Sequence, residues 1–157
     1  MLVAALCFVA LAGLLLVRGT IIPENEVPLA HAPALLSAGD FVVVQAIGGQ
    51  LDDMYGYQFK LDFDDSAFDF FSLESLVPGI NLTFQRTFPE YLLVGATKVG
   101  GVPGYSSSSD ENQISQIVFR AKRNVETLQF SLREVGIVRS DMTYFDDVPG
   151  WRFEIVK

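Results

Sequence analysis

Acidic side chains are the residues of this chain with the most chemistry to offer, and they gather in two stretches. The two clusters are Asp52, Asp53, Asp62, Asp64 and Asp65, and then Asp141, Asp146 and Asp147. Neighbouring carboxylates can coordinate calcium or act as acid and base in glycoside hydrolysis. The spacing of an EF-hand loop is absent, and no cleft pattern accompanies the acids. We therefore expect them to cap turns and keep the chain soluble, with a calcium site as the alternative.

Residues able to act as nucleophiles or transition-metal ligands are scarce. His31 is the only histidine and Cys7 the only cysteine. A Ser-His-Asp triad or a zinc site needs histidine inside a folded domain, and His31 lies in a proline-rich stretch. The sequence therefore predicts a protein that is not an enzyme and that needs no cofactor.

The charge balance restricts the classes of partner. The 157 residues carry a formal net charge of -8, with a pI of about 4.5. Nucleic-acid backbones and anionic lipid surfaces both select clustered Lys and Arg. We therefore expect neither nucleic acid nor a lipid surface as a partner of the folded part.

The N-terminus differs in composition from the rest of the chain. Residues 1–17 contain no charged side chain, and Arg18 ends the run. The length lies between a signal-peptide core and a spanning helix, so residues 1–19 are predicted to be a signal peptide or a membrane anchor. Either function places the remainder outside the cytoplasm, secreted or at the cell surface. Because Cys7 lies in this segment, the exported part has no disulfide.

Residues 20–37 carry three prolines and are predicted to form an extended linker. From residue 38 to 157 the pattern is that of strands. About eight or nine short apolar runs are separated by turn residues every ~8–12 positions, which is typical of an all-β sandwich or jelly roll. No segment after the N-terminus has a sustained helical period.

The clearest strand pattern is "MYGYQFKLDF", which begins at Met54. Its apolar set is Tyr57, Phe59, Leu61 and Phe63, and its polar set is Gln58, Lys60 and Asp62. Alternate residues of a strand lie on opposite faces, so the rings are predicted to fill the core and the polar set to meet solvent. The run "QISQIVFRAKR" (113–123) alternates in the same way, with Gln116, Val118 and Arg120 on its outward face.

Three quoted segments together resemble the cohesin domain family. They are "AGDFVVV", then "MYGYQFKLDFDDSAFDFFSLE", with its aromatic-Asp pair at Phe63 and Asp64, and later "ISQIVFRAK". Asp65 stands where the family commonly has proline. The resemblance implies a nine-stranded β-sandwich with jelly-roll topology over residues 38–157. It also implies a protein-binding function, in which one outer sheet face docks a dockerin module carried by another protein.

The resemblance also implies which residues touch the partner. On the strand that begins at Met54 they are Gly56, Gln58, Lys60 and Asp62. The strand 113–122 is expected beside it and adds Gln116, Val118 and Arg120. Gly56 and Gln58 replace the usual Asn and Asp of the family, so partner preference does not transfer. A plain solvated face is the alternative interpretation of these residues.

Two other functions remain open at this point. A carbohydrate-binding module of similar architecture would stack sugar rings on exposed aromatics, for which Tyr91, Tyr105, Tyr144 and Trp151 are the candidates. Polysaccharide is the partner in that case. A structural surface-layer or adhesion domain would instead make contacts between copies of itself.

Overall fold

The computed structural model describes residues 32–156, and within that range every regular element is a β-strand. Among these residues no helix is long and apolar enough to cross a membrane. The predicted signal or anchor at residues 1–19 lies outside the described residues, and so does His31.

Twelve strands run along the described part of the chain. They are β1 (Ala32–Leu36), β2 (Phe41–Gly48), β3 (Leu51–Phe63), β4 (Phe68–Ser75), β5 (Leu82–Thr87), β6 (Tyr91–Thr97), β7 (Tyr105–Ser107), β8 (Asn112–Ala121), β9 (Val125–Leu128), β10 (Phe130–Arg139), β11 (Tyr144–Phe145) and β12 (Arg152–Val156). Nine of these have five or more residues, and β7, β9 and β11 are shorter.

Two sheets form the layers of a sandwich. One has the order β11-β10-β3-β6-β5, with β7 pairing the start of β3, and the other has the order β12-β2-β8-β4. A short third pair joins β1 to β9. All pairs are antiparallel, and the chain crosses repeatedly from one sheet to the other. The predicted all-β sandwich is confirmed, and the crossovers agree with the expected jelly-roll topology.

The core lies between the two sheets, and a connected group of aromatic rings runs through its mainly aliphatic side chains. Phe63 of β3 and Phe119 of β8 meet across the layers with their centroids 4.9 Å apart, and Phe130 of β10 lies 5.3 Å from Phe119. Phe59 and Phe119 are completely buried. Each buried ring of this size contributes about 1.5–3 kcal/mol relative to an exposed one.

The alternation predicted for β3 is what the structure shows. The four residues Tyr57, Phe59, Leu61 and Phe63 are all buried, whereas Gln58 is exposed and Lys60 and Asp62 are half-buried. The same holds for β8, where Ile117, Phe119 and Ala121 are buried and Arg120 is exposed. A period of two therefore positions both the core rings and the outward polar groups.

The boundary between the predicted linker and the domain shifts. Strand β1 lies within residues 20–37 and pairs with β9, with Pro33 opposite Thr127. Proline is tolerated on a short two-stranded edge, and the register is irregular between Pro33 and Leu36. The last part of the predicted linker is thus a strand, while the rest of the proposed division into 1–19, 20–37 and 38–157 remains a prediction.

Candidate functional site

The predicted partner-binding residues lie on two opposite sides of the sandwich. Strand β3 pairs with β10 and β6, whereas β8 pairs with β2 and β4 in the other sheet. The expectation that β8 lies beside β3 is therefore wrong. Alternation predicts which side chains leave the core, but it does not say which sheet a strand joins.

We call the outer surface of the sheet β11-β10-β3-β6-β5 the β3 face. Gln58, Lys60 and Asp62 point out of it, as predicted. Gly56 differs, because it is buried. A Cβ placed on Gly56 would lie 2.9 Å from the backbone oxygen of Ala96, so this position has no room for a side chain.

Two exposed rings reach over glycines in the middle of the β3 face. Gly95 of β6 and Gly136 of β10 are the cross-strand neighbours of Gln58 on either side. The ring of Phe84, from β5, covers Gly95, and the ring of Tyr144, from β11, covers Gly136, each at a distance that leaves no space for a Cβ. Glycine on both neighbouring strands therefore allows the rings to lie close against the sheet.

Gln58 is connected to one of these rings. Its Nε2 donates a hydrogen bond of 2.9 Å to the hydroxyl oxygen of Tyr144. The carboxylate of Asp146, followed by partial burial, raises the pKa of the Tyr144 hydroxyl. The neutral hydroxyl of Tyr144, the ordinary form of a tyrosine at pH 7, accepts the hydrogen bond from Gln58.

A network of ion pairs occupies the next row along β3. Lys60 Nζ lies 2.5 Å from Glu134 Oε2, and Arg133 Nη1 lies 2.7 Å from Glu134 Oε1. Arg133 Nε also donates to both carboxylate oxygens of Asp62 at 2.8 Å. The hydrogen bond from Lys60, the largest cause, lowers the pKa of Glu134. A bulge in β10 and a left-handed φ of 51° at Glu134 bring this side chain toward Lys60.

Aromatic rings complete the far end of the β3 face. Lys60 and Arg133 each lie 5.1 Å from the centroid of Tyr91, and Tyr91 stacks on Phe88 at 4.6 Å. Arg86 lies 4.9 Å from the centroid of Phe88. The face thus combines flat rings with three cations, each held against an aromatic surface.

We call the outer surface of the sheet β12-β2-β8-β4 the β8 face. It carries the other three predicted residues, of which Arg120 is exposed while Gln116 and Val118 are half-buried. Gln45 Nε2 lies 3.5 Å from Gln116 Oε1 on the neighbouring strand. These three residues cannot act on the same partner surface as Gln58 and Lys60, because the whole core separates them.

Several acids of the two clusters bond to backbone amides and hydroxyls of nearby turns and loops. Asp64 Oδ1 accepts bonds from the Ser66 amide (2.9 Å) and hydroxyl (2.6 Å), the hydroxyl being the largest cause that lowers the Asp64 pKa. Asp53 accepts from the Ser140 amide and hydroxyl and from the Gly104 amide. Within residues 32–156, no group of three or more His, Cys, Asp or Glu side chains could hold a metal ion.

The aromatics considered for sugar stacking do not form a line. Trp151 is 4% exposed and packs in the core, 5.9 Å from Tyr57. Tyr91 and Tyr105 are half-buried, and Tyr144 is 45% exposed. The planar strip required by the carbohydrate hypothesis is therefore not present among these four rings.

Sequence reasoning missed most of the β3 face outside β3 itself. The missed residues are Phe84 and Arg86 of β5, Leu93 and Gly95 of β6, and Arg133, Glu134 and Gly136 of β10. Tyr144 of β11 was considered only as a ring for sugar stacking. Glycine inside the strand patterns "LLVGAT" and "REVGIV" was a usable signal, because such a glycine often marks a close approach. Each approaching ring comes from a strand adjacent along the chain, β5 for Gly95 and β11 for Gly136. The sequence pattern does not fix the register of these pairs, so the side chain over each glycine could not be identified from it.

Comparison with known proteins gives structural matches only. No protein-family model matches the chain, and no curated protein matches it. A cohesin module from a family 33 glycoside hydrolase of Clostridium perfringens superposes with a TM-score of 0.57 at 13% identity, covering 82% of this chain and 95% of that one. The sixth cohesin of scaffoldin B from Acetivibrio cellulolyticus, solved in complex with a dockerin, superposes with a TM-score of 0.55 at 18% identity, covering 74% and 88%.

These likenesses concern the arrangement of the strands, since the sequence identities are low. They cover nearly the whole length of both solved modules. Residues 32–156 of this chain therefore form a cohesin-like β-sandwich.

Proposed function

We propose that this chain is a protein-binding module that docks a dockerin-type partner through its β3 face. The proposal rests on a row of residues that crosses five strands of the β3 face: Phe84, Gly95, Gln58, Gly136 and Tyr144. The side-chain amide of Gln58 lies in the middle of this row, with one exposed ring on each side of it. One of the two solved cohesins that superpose on the chain was determined with a dockerin bound, which supports the choice of partner class.

The two rings have the properties of binding anchors. Phe84 is 48% exposed and Tyr144 is 45% exposed, and each is held against the backbone of a neighbouring strand. A ring that is already fixed in place loses little conformational entropy when a partner covers it. Aromatic anchors of this kind commonly carry a large part of the binding free energy.

The cations of the β3 face indicate the chemistry of the partner surface. Lys60, Arg86 and Arg133 lie on this face, against Asp62 and Glu134, within a chain whose net charge is -8. The face is thus more positive than the chain as a whole. We expect a partner surface with apolar side chains for the two rings and at least one carboxylate for these cations.

A non-enzymatic function is part of the proposal. Four charged groups of the β3 face are bonded to one another at 2.5–2.8 Å, which holds them as a structural network: Lys60, Asp62, Arg133 and Glu134. Binding by such a face requires no proton transfer or nucleophile. We expect the partner to act in trans. If residues 1–19 are the predicted signal or anchor, the module acts outside the cell or at its surface, and any membrane contact is made through that segment.

The test compares two matched variants of the full chain. Phe84→Asp introduces a charge at an anchor of the β3 face, and Phe71→Asp does the same at an exposed ring, 61% accessible, on the β8 face. Purified dockerin-bearing proteins from the same source serve as ligands, with affinity measured by calorimetry. We expect Phe84→Asp to weaken binding by at least about tenfold, and Phe71→Asp to leave it unchanged.

Three results would argue against the proposal. Equal losses in both variants would remove the β3 face as the site, and a loss only in Phe71→Asp would move it to the β8 face. If no dockerin is retained but insoluble polysaccharide is, the carbohydrate-binding alternative replaces it. Unchanged thermal midpoints are the control for folding in both variants.

A further inference from the structure

A ridge of apolar side chains crosses the β8 face, on the side of the sandwich opposite the proposed dockerin site. Phe41 of β2 and Phe71 of β4 are 52% and 61% exposed, and their rings meet edge to face above β8 with centroids 4.9 Å apart. Strand β4 has a bulge between Phe70 and Ser72, and Phe71 is its extra residue. Because of the bulge, Phe71 and Ser72 both point outward although they are consecutive in sequence.

Three valines extend the ridge across the sheet. Val156 of β12 pairs with Val43 of β2, and Val43 pairs with Val118 of β8. Val156 is exposed, and the other two are half-buried. We name the five residues Phe41, Val43, Phe71, Val118 and Val156 the β8 ridge. A contiguous apolar patch of this kind on a soluble domain usually marks a contact surface.

The charges around the ridge indicate which surface covers it. The strands of the β8 face carry three acids and two arginines: Asp69, Glu74, Glu154, Arg120 and Arg152. Two rim groups pair with these residues: Lys122 Nζ lies 3.5 Å from Asp69, and Glu111 Oε1 lies 2.9 Å from Arg152, which makes three cations against four acids, a sum of -1. The chain as a whole has a net charge of -8, so two copies repel each other over most of their surfaces. This nearly neutral face is a place where two copies can approach with little of that repulsion.

We infer that the β8 ridge is a self-association surface, on which two copies of this chain pack sheet against sheet. Such a contact is isologous, because the same ridge serves both copies. The flanking groups are self-complementary, since the face offers both an exposed arginine, Arg120, and an exposed carboxylate, Glu74. Stacked sheets at the usual separation of about 10 Å would let the rings and valines of the two copies interdigitate.

The available area predicts a weak dimer. Four strands, each about 4.8 Å wide and some eight residues long, give a face of roughly 500 Å² per copy. Stable complexes typically bury about 800 Å² per partner. Association is therefore expected to depend on concentration, with the β3 face of each copy left free for its own partner.

The test is sedimentation velocity of the full chain in a non-ionic detergent, over a range from low to high micromolar concentration. The N-terminal segment is the same in every sample, so differences between variants report the sandwich. We expect a concentration-dependent dimer for the native chain and for Phe84→Asp. Phe71→Asp and Phe41→Asp are each expected to raise the dissociation constant by about tenfold or more.

A second measurement needs no variant. Amide hydrogen exchange of the native chain at Val43 and Val118 should slow as the concentration rises, while exchange at Gln58 stays constant. A native chain that is monomeric throughout the range overturns the inference, and so does a dimer that Phe71→Asp and Phe84→Asp weaken equally. Dockerin binding is measured separately, so the failure of one proposal leaves the other standing.

Discussion

The β3 face and the β8 face lie on opposite sides of the same aromatic core and differ in how their side chains are held. On the β3 face nearly every outward group has a partner within the face: Gln58 with Tyr144, Lys60 with Glu134, and Arg133 with Asp62. On the β8 face the outward groups include a glutamine pair, Gln45 and Gln116, but the exposed apolar groups are valines and two phenylalanines whose rings contact each other.

This difference indicates two kinds of recognition. Prearranged rings and paired charges favour one specific partner, because desolvating the β3 face without matching its charges would be costly. An apolar ridge with nearly balanced flanking charges can be covered by a wider range of surfaces, because apolar contact does not require a matching charge at each position. The same alternating strands thus produce two surfaces that we expect to respond differently to the same kinds of substitution.

The largest expected effect is a loss of folding stability, and it tests whether the two faces share one tightly packed core. Phe59 lies directly beneath the β3 face and Phe119 beneath the β8 face, and both are completely buried. Phe59→Ala and Phe119→Ala should each lower the free energy of unfolding by about 3–5 kcal/mol, because each leaves a cavity. Urea denaturation measures both. A loss below about 1 kcal/mol in only one variant would mean that the two sheets do not share a tightly packed core.

An intermediate effect compares two exposed arginines, one on each face. Arg86 lies on β5 in the sheet of the β3 face, and Arg120 lies on β8. Among residues 32–156 neither forms an ion pair, so reversing either charge should leave folding intact. Arg86→Glu should slow dockerin association about two- to tenfold at low salt, and Arg120→Glu should not. Stopped-flow kinetics at two ionic strengths measures this difference, and an equal slowing by both variants would contradict a single binding face.

The smallest expected effect concerns the ion network of the β3 face alone. Lys60 lowers the pKa of the Glu134 carboxyl, mainly through a direct hydrogen bond. Lys60→Met should therefore raise the pKa of Glu134 toward its ordinary value, which a carbon-detected NMR titration of that carboxyl can follow. The pKa of Glu134 is lower in the folded state than in the unfolded state. The interaction of its carboxylate with Lys60 therefore stabilises the fold at pH values above the unfolded-state pKa, and this stabilisation is lost as the pH falls through the folded-state pKa. An unchanged Glu134 titration would mean that Lys60 is not its main partner.

The features that depend on local periodicity were predicted correctly from the sequence. The alternation from Tyr57 to Phe63 correctly predicted which residues enter the core, and the turn acids correctly marked Asp64 as the start of a turn. The all-β class and the resemblance to cohesins were also correct as statements about fold. Each of these follows from neighbours in sequence, which a period of two and turn chemistry determine.

The composition of the faces could not be predicted, because it depends on which strands pair and in what register. Gln58 meets Tyr144 across 86 positions of the chain, and the ring over Gly95 is set by the register between β5 and β6. For the same reason Val118 and Arg120 were assigned to the side of the molecule that they do not occupy. Gly56 was expected at an accessible position and is instead covered by its cross-strand neighbours.

The most direct test of the central claim is to map a bound dockerin on the chain by amide chemical-shift perturbation. If the β3 face is the binding site, the largest shifts will cluster on β3, β5, β6 and β10, centred on Gln58, Gly95 and Gly136. Amides of β2, β8 and β12 will then move little at concentrations where the chain is monomeric. Shifts concentrated around Val118 and Arg120, with Gln58 unaffected, would contradict the account.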